Sequence, residues 1–166
     1  YAKRLKGGLL MEHNETVNGL LRDMGMGHVL VFSNDEIASP LACGLISPRI
    51  YLPTRMDFGN AVLLRHVLAH EAMHIRRRDN WMKAVMLAAL VLNWYNPLAW
   101  LMAKCLASDL EAACDAAVLS RWGEEERKGY AYSLLAMAVG GGRSSLLYSA
   151  FSKTEVERRV KGILAF

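Results

Sequence analysis

The sequence predicts an α+β fold, a small N-terminal β-sheet attached to a larger helical body. β-rich runs occur only before residue 54, and apolar residues at helical spacing dominate the rest of the chain. The stretch "HVLAHEAMHIRRRDN" (66–80) adds three histidines at four-residue intervals, with a glutamate between the last two, which is a helical repeat. A chain of 166 residues can bury a sizeable core, and nothing in its length asks for a second domain, so one domain over 1–166 is expected.

Leu9 to Met24 reads as a first helix, because Leu9, Leu10, Val17, Leu20 and Leu21 recur at roughly helical spacing before "GMGH" ends it. "HVLVFS" (28–33) is a strand, and "ACGLISPRIYLP" (42–53) holds two more, Leu41–Ile46 and Arg49–Leu52, joined through Ser47-Pro48. Asn60 caps a helix running to about Arg78, and Asp79 caps the next, which the Asn96-Pro97 break closes. Pro97 suits the first turn of a helix reaching Arg121. "WGEEERKGY" restarts a helix that ends in a mobile loop at Gly140–Gly142, and Lys153–Ala165 forms a last basic amphipathic helix.

Apolar residues make up 53% of the chain and charged residues 22%, which excludes disorder and suggests that some apolar surface faces something other than water. No uninterrupted apolar run reaches the roughly 20 residues of a membrane span. The nearest, Ala84–Leu92, is too short to cross but can lie against a bilayer. No signal peptide opens the chain, and both ends stop in mid-pattern, as if cut from something longer. The net charge of +4 comes from clusters at Lys3, Arg4 and Lys6, at Arg76–Arg78 and at Lys153–Lys161. Such clusters suit anionic lipid or nucleic acid, although solvated faces explain them equally well. Without a recognised DNA-binding motif, direct nucleic-acid binding is not expected. Cys43, Cys105 and Cys114 form no C-x-x-C pair, so neither a disulfide framework nor a thiolate metal site is indicated.

His70-Glu71-Ala72-Met73-His74 is H-E-x-x-H. Residues four apart on a helix lie about 40° from each other round the axis and one turn along it, so both imidazoles can reach one ion. Glu71, about 100° from His70, is no ligand but is placed to act as general base on a water. A hydrolytic Zn2+ site needs a third protein ligand. "DLEAACDAAV" (109–118) offers Glu111 for that role. Asp115, one turn on, is then the acceptor that orients a ligating histidine, either His70 or His74. His66 lies about 12 Å from His74 along the helix axis, too far to share an ion, and reads as a packing or orienting histidine. His13 and His28 lie outside any motif and are taken as structural. The chemistry implied is metal-assisted peptide hydrolysis, with an oxyanion donor left open among Tyr130, Tyr132, the arginines and His66. An extended substrate is expected beside an edge strand, either "ACGLI" or "RIYLP".

These residues, with "SPLACGLISPRIYLP" (39–53), "LNWYNPLAWL" (92–101), "DLEAACDAAVL" (109–119) and "ERRVKGIL" (157–164), resemble the Bla/Mec antirepressor, or β-lactam sensor-transducer, family of membrane-embedded gluzincin metallopeptidases. The matching pieces run in family order over most of the chain. The resemblance implies a zincin-like zinc protease domain between transmembrane helices, on the cytoplasmic side of a bacterial membrane. It assigns Glu71 as catalytic base and His70, His74 and Glu111 as zinc ligands. Self-cleavage in a loop after the zinc domain and cleavage of a DNA-binding repressor are implied as well, and family analogy permits a homodimer; by its position and its glycines, Gly140–Ser152 is the expected place of self-cleavage. No S-x-x-K acylation motif occurs, so a β-lactam signal does not carry over. The alternative function is a membrane scaffold with a vestigial site, against which the complete ligand set and an intact Glu71 speak.

Overall fold

A computed structural model describes residues 8–11, 14–140 and 146–165; His13, the cluster Lys3, Arg4 and Lys6, and most of the expected Gly140–Gly142 loop lie outside them. The architecture is mixed α+β. The described elements are β1 (Leu9–Leu10), α1 (Glu15–Asp23), β2 (Leu30–Asn34), β3 (Leu41–Cys43), β4 (Arg49–Pro53), α2 (Ala61–Arg76), α3 (Asp79–Leu92), α4 (Pro97–Trp122), α5 (Arg127–Gly140) and α6 (Leu146–Ala165).

Two boundaries differ from the expected ones for physical reasons. Leu9 and Leu10 are not helical: they pair antiparallel with Ser33 and Phe32 of β2, and α1 starts only after Asn14, whose Oδ1 accepts from Val17 N at 3.1 Å. The apolar spacing from Leu9 was misleading because both leucines are exposed on a strand. At the chain's other end, α6 starts at Leu146 rather than Lys153, so much of Gly140–Ser152 has a helical backbone.

The sheet order is β1-β2-β4-β3. β2 runs parallel to β4, from Leu30 opposite Arg49 to Asn34 opposite Pro53, and β3 pairs antiparallel with β4. "RIYLP" is therefore an interior strand, which overturns its candidacy as an edge; of the two expected segments only β3, from "ACGLI", lies on an edge, the other edge being β1. The β3–β4 turn depends on Gly44, at φ 102°, where a Cβ would meet Ser47 O at 2.5 Å. No side chain fits there.

α2 is the structural axis, buried on several stripes at once. Leu64, Val67, Leu68 and Ala72 pack with Val31, Ile50 and Leu52 of the sheet and with Val17 and Leu21 of α1. Ala69 and Met73 face a second core built from Cys114, Val118 and Leu119 of α4, Tyr130 of α5 and Ile163 of α6. A helix enclosed on both sides can hold polar side chains inside only if they find partners. That condition governs its third stripe, His66, His70 and His74, all buried.

Between α2 and α3 the chain turns sharply at Arg78, which has φ 59° and ψ 35°. A left-handed conformation costs a non-glycine residue roughly 1–2 kcal/mol. Its result is that α3 leaves at once from the end of α2, with Asp79 as its first helical residue rather than its cap. Asn80 Nδ2 and Trp81 Nε1 then donate to the carbonyls of Gly44 and Leu45, both at 3.1 Å, fixing α3 against the β3–β4 turn. No helix among the described residues is long and apolar enough to cross a membrane.

Candidate metal centre

His70 and His74 lie one turn apart on α2, and α4 crosses them with Glu111. Their Nε2 atoms are 3.2 Å apart, and Glu111 presents Oε2 to His70 Nε2 at 3.3 Å and Oε1 to His74 Nε2 at 3.4 Å. Ligands about 2.05 Å from a tetrahedral ion are separated by about 3.3 Å, the edge of that tetrahedron. The three side chains thus match the spacing that a small divalent ion imposes.

The outer nitrogens explain why the inner ones converge. His74 Nδ1 donates to Asp79 Oδ2 at 2.7 Å, in a pair that is almost wholly buried. His70 Nδ1 lies 2.8 Å from Tyr130 Oη, and that hydroxyl is committed as donor to Asp115 Oδ1 at 2.7 Å. The His70 ring therefore gives its Nδ1–H to the tyrosine oxygen. In both histidines the proton on Nδ1 leaves the Nε2 lone pair facing inward, the tautomer that a metal requires.

Asp115 is held in turn by Arg159 of α6, whose Nε and Nη2 donate to its two oxygens, each at 2.7 Å. The same guanidinium lies 3.3 Å from Glu111 Oε2 and 3.3 Å from His70 Nε2. Burial raises the Asp115 carboxyl's pKa, but the Arg159 hydrogen bonds outweigh it and bring it down to about 2. For Glu111 burial also acts upward, and the two imidazoles more than reverse it, holding the carboxyl well below its usual range. The imidazoles show the converse. Burial alone would lower His74, yet its thiol and carboxylate neighbours Cys114 and Glu111 raise it to about 10. A cation entering this cluster displaces protons from it.

Asp115 was expected to orient either histidine; it is near His70, with Nδ1 at 3.3 Å and Tyr130 bridging. His74 uses Asp79, which the sequence presented only as a helix cap. Arg159 was part of a basic helix with no assigned partner. The structure also draws in Cys114: one ligand atom each from His70, His74 and Cys114 lie within 4.8 Å of one another, so these three also form a group able to hold a metal ion. No C-x-x-C spacing signalled it. The 4.8 Å limit is looser than the spacing to Glu111, and Cys114 Sγ donates to the His70 carbonyl at 3.4 Å, against the α2 backbone.

Glu71 is buried, and among the described residues it is not drawn into the histidine–carboxylate network. His66 is satisfied elsewhere, between Ser133 Oγ at 2.7 Å and Glu126 Oε2 at 3.2 Å, with Trp122 against its ring. Tyr132 is 74% exposed and Tyr130 stands behind His70, so of the candidate oxyanion donors Arg159 approaches the convergent face most closely among the described residues. A small cleft lined by Met24, Met73, Arg76 and Trp122 lies on a neighbouring face of α2 and is not lined by His70, His74 or Glu111.

Residues 9–163 match the family described as BlaR1 peptidase M56. The chain belongs to that family. It is 29% identical over 142 residues to Regulatory protein BlaR1 of Bacillus licheniformis, covering 83% of this chain and 24% of that protein. It is 24% identical over 113 residues to Methicillin resistance mecR1 protein of Staphylococcus aureus, covering 68% of this chain and 19% of that protein. The chain thus spans about a quarter or less of the length of these relatives. The family is one of metal-dependent peptidases, and its antirepressor members are the sensor-transducers expected from the sequence.

Proposed function

We propose that this M56 chain is the zinc metalloendopeptidase domain, gluzincin in type and zincin-like in fold, of a membrane signalling protein. The observation that carries the reading is the tetrahedral-edge spacing of His70 Nε2, His74 Nε2 and Glu111, with the outer nitrogen of each histidine committed to an acceptor. Glu111 rather than Cys114 is the third ligand, since its two oxygens lie 3.3 and 3.4 Å from the two Nε2 atoms while the Cys114 thiol is already committed as donor to the His70 carbonyl at 3.4 Å. Bound zinc supplies Lewis-acid polarisation of the scissile carbonyl and acidifies water.

The chain's own residues do the rest. Glu71 takes the proton of the attacking water and returns it to the departing amine. Asp79 and the Tyr130–Asp115 pair hold the imidazoles in their tautomer, and Arg159 is a positioning residue that fixes Asp115. The substrate lies extended along the β3 edge. By analogy with the antirepressor relatives, the bonds cut are in a transcriptional repressor, in the chain itself within Gly140–Ser152, or in both. The domain occupies 1–166 as one unit, set between transmembrane helices on the cytoplasmic side of a bacterial membrane, with no direct contact to nucleic acid.

The test is Glu71→Gln. Loss of the general base should lower peptide hydrolysis by about 10²–10⁴-fold while zinc stoichiometry stays at the wild-type value. Unchanged hydrolysis rejects the mechanism.

A further inference from the structure

The α3–α4 hairpin carries a surface that the metal centre does not use. From Lys83 to Met102 no residue is buried, and between Lys83 and Lys104 no residue is charged. Leu92, Trp94, Tyr95 and Met102 are each more than 70% exposed. An ordinary protein surface rarely shows so large an uninterrupted apolar patch.

Three features say what covers it. The exposed side chains do not form a narrow stripe: at about 100° per residue, Leu98, Trp100, Leu101 and Met102 cover an arc of about 200° of α4. A protein partner covers one face, whereas lipid surrounds a helix. Second, three of the polar side chains at the turn bond to backbone groups of the hairpin itself, while the exposed Tyr95 is left for an interfacial level. Asn93 Nδ2 donates to Ala89 O at 2.9 Å, Asn96 Oδ1 accepts from Leu98 N at 3.0 Å, and Trp100 Nε1 donates to Trp94 O at 2.9 Å. Such internal bonds lower the cost of placing those groups in hydrocarbon. Third, the first charges met on leaving the tip along either helix are lysines, Lys104, which is exposed, and Lys83, whose Nζ lies 3.7 Å from Glu111 Oε1, and the exposed Arg76 and Arg78 stand at the base of α3. This collar complements anionic headgroups, and tryptophan and tyrosine suit the same interfacial level.

Depth follows from length. Ala84 to Leu92 rises about 13 Å, less than half of a hydrocarbon core of about 30 Å. We propose that the α3–α4 tip, residues 84–102, dips into one leaflet of a bilayer containing anionic lipid without crossing it. Glu111 lies two turns beyond Ala103 along α4, about 12 Å, so the dipped hairpin holds the His70–His74–Glu111 cluster close above the headgroups. This contact belongs to the hairpin itself, is separate from any flanking transmembrane helix, and stands whether or not the centre is a peptidase.

The test is flotation of the 166-residue chain with phosphatidylcholine vesicles, with and without phosphatidylglycerol, alongside tryptophan quenching by lipids brominated at known depths. Trp81, Trp94 and Trp100, three of the chain's four tryptophans, lie on the hairpin. The chain should float with phosphatidylglycerol vesicles, bind them less well in high salt, and be quenched most by shallow bromines. Leu92→Glu and Leu98→Glu change exposed positions, so thermal melting should stay at the wild-type value while partitioning falls at least about tenfold for each. Flotation that survives both substitutions overturns the assignment to the tip. Failure to float with either vesicle overturns it too, as does a lipid-free dimer that these substitutions dissolve, which would make a second copy the occupant.

Discussion

Replacing Asp79 by Asn tests the least expected part of the centre. Asp79 is 2% exposed and accepts from His74 Nδ1 at 2.7 Å, while Arg77 Nε reaches its other oxygen at 3.3 Å. The asparagine keeps an acceptor near the ring but removes the charge that makes the imidazole a better donor to a metal. Losing such an outer partner costs about 10–100-fold in metal affinity, or about 1.4–2.7 kcal/mol. Competition against a chromophoric chelator at neutral pH reads the constant directly. A second readout is thermal stability: free metal at 100 times the wild-type Kd stabilises the native chain by about 2.7 kcal/mol, and a tenfold weaker variant keeps about 1.4 kcal/mol of it. Asp79→Ala, which also frees the ring to rotate, should fall at the weaker-binding end of the range. If both variants bind zinc within twofold of wild type, His74 is not a ligand held by Asp79, and the tautomer argument fails.

Arg159→Met should destabilise the metal-free chain by about 3–5 kcal/mol in urea denaturation, because it strands the buried Asp115 carboxylate without its guanidinium. Adding Asp115→Asn should restore part of that loss, and strict additivity of the two would show that the pair is not coupled. Burial lowers the His66 pKa below its ordinary value despite the Glu126 carboxylate beside it. The unfolded chain therefore takes up this proton first: the His66 contribution is constant above about pH 6.5 and stability is lost as pH falls below it. Replacing His66 by Asn should flatten the stability–pH profile there by up to about 1.4 kcal/mol per pH unit, and parallel profiles for wild type and variant would contradict the assignment.

What was legible in the sequence was what helical periodicity alone decides. His70 with His74, and Glu111 with Asp115, share faces because they are four apart, and one helix crossing brings the two pairs together. Terminal residues did the same for α2 and α4: Asn60 accepts from Leu63 N as a cap, and Pro97 stands in the first turn of α4, while the capping by Asn96 is seen only in the structure. Legibility stopped where a role depends on a turn or on long-range packing. Asp79 reaches His74 only because Arg78 takes a left-handed conformation that nothing in "RRRDN" announces. Arg159 is 89 positions from His70 and arrives by the docking of α6 on α4, through Ser108 Oγ donating to Glu155 and through the buried Ile163. Cys114 enters because it sits three residues after Glu111, on a neighbouring stripe of α4, and only the crossing with α2 makes that stripe part of the centre. Leu9 and Leu10 misled because a two-residue edge strand is too short to show alternation.

The central claim is that His70, His74 and Glu111, and not Cys114, hold one zinc ion. X-ray absorption at the zinc edge of the loaded chain separates the two donor sets, since zinc–sulfur bonds near 2.3 Å stand clear of nitrogen and oxygen bonds near 2.0–2.1 Å. The predicted spectrum fits a shell of nitrogen and oxygen alone, with the imidazole scattering of two histidines, and loses part of that shell in Glu111→Ala. A sulfur contribution that vanishes in Cys114→Ser, with Glu111→Ala leaving the spectrum unchanged, would contradict it.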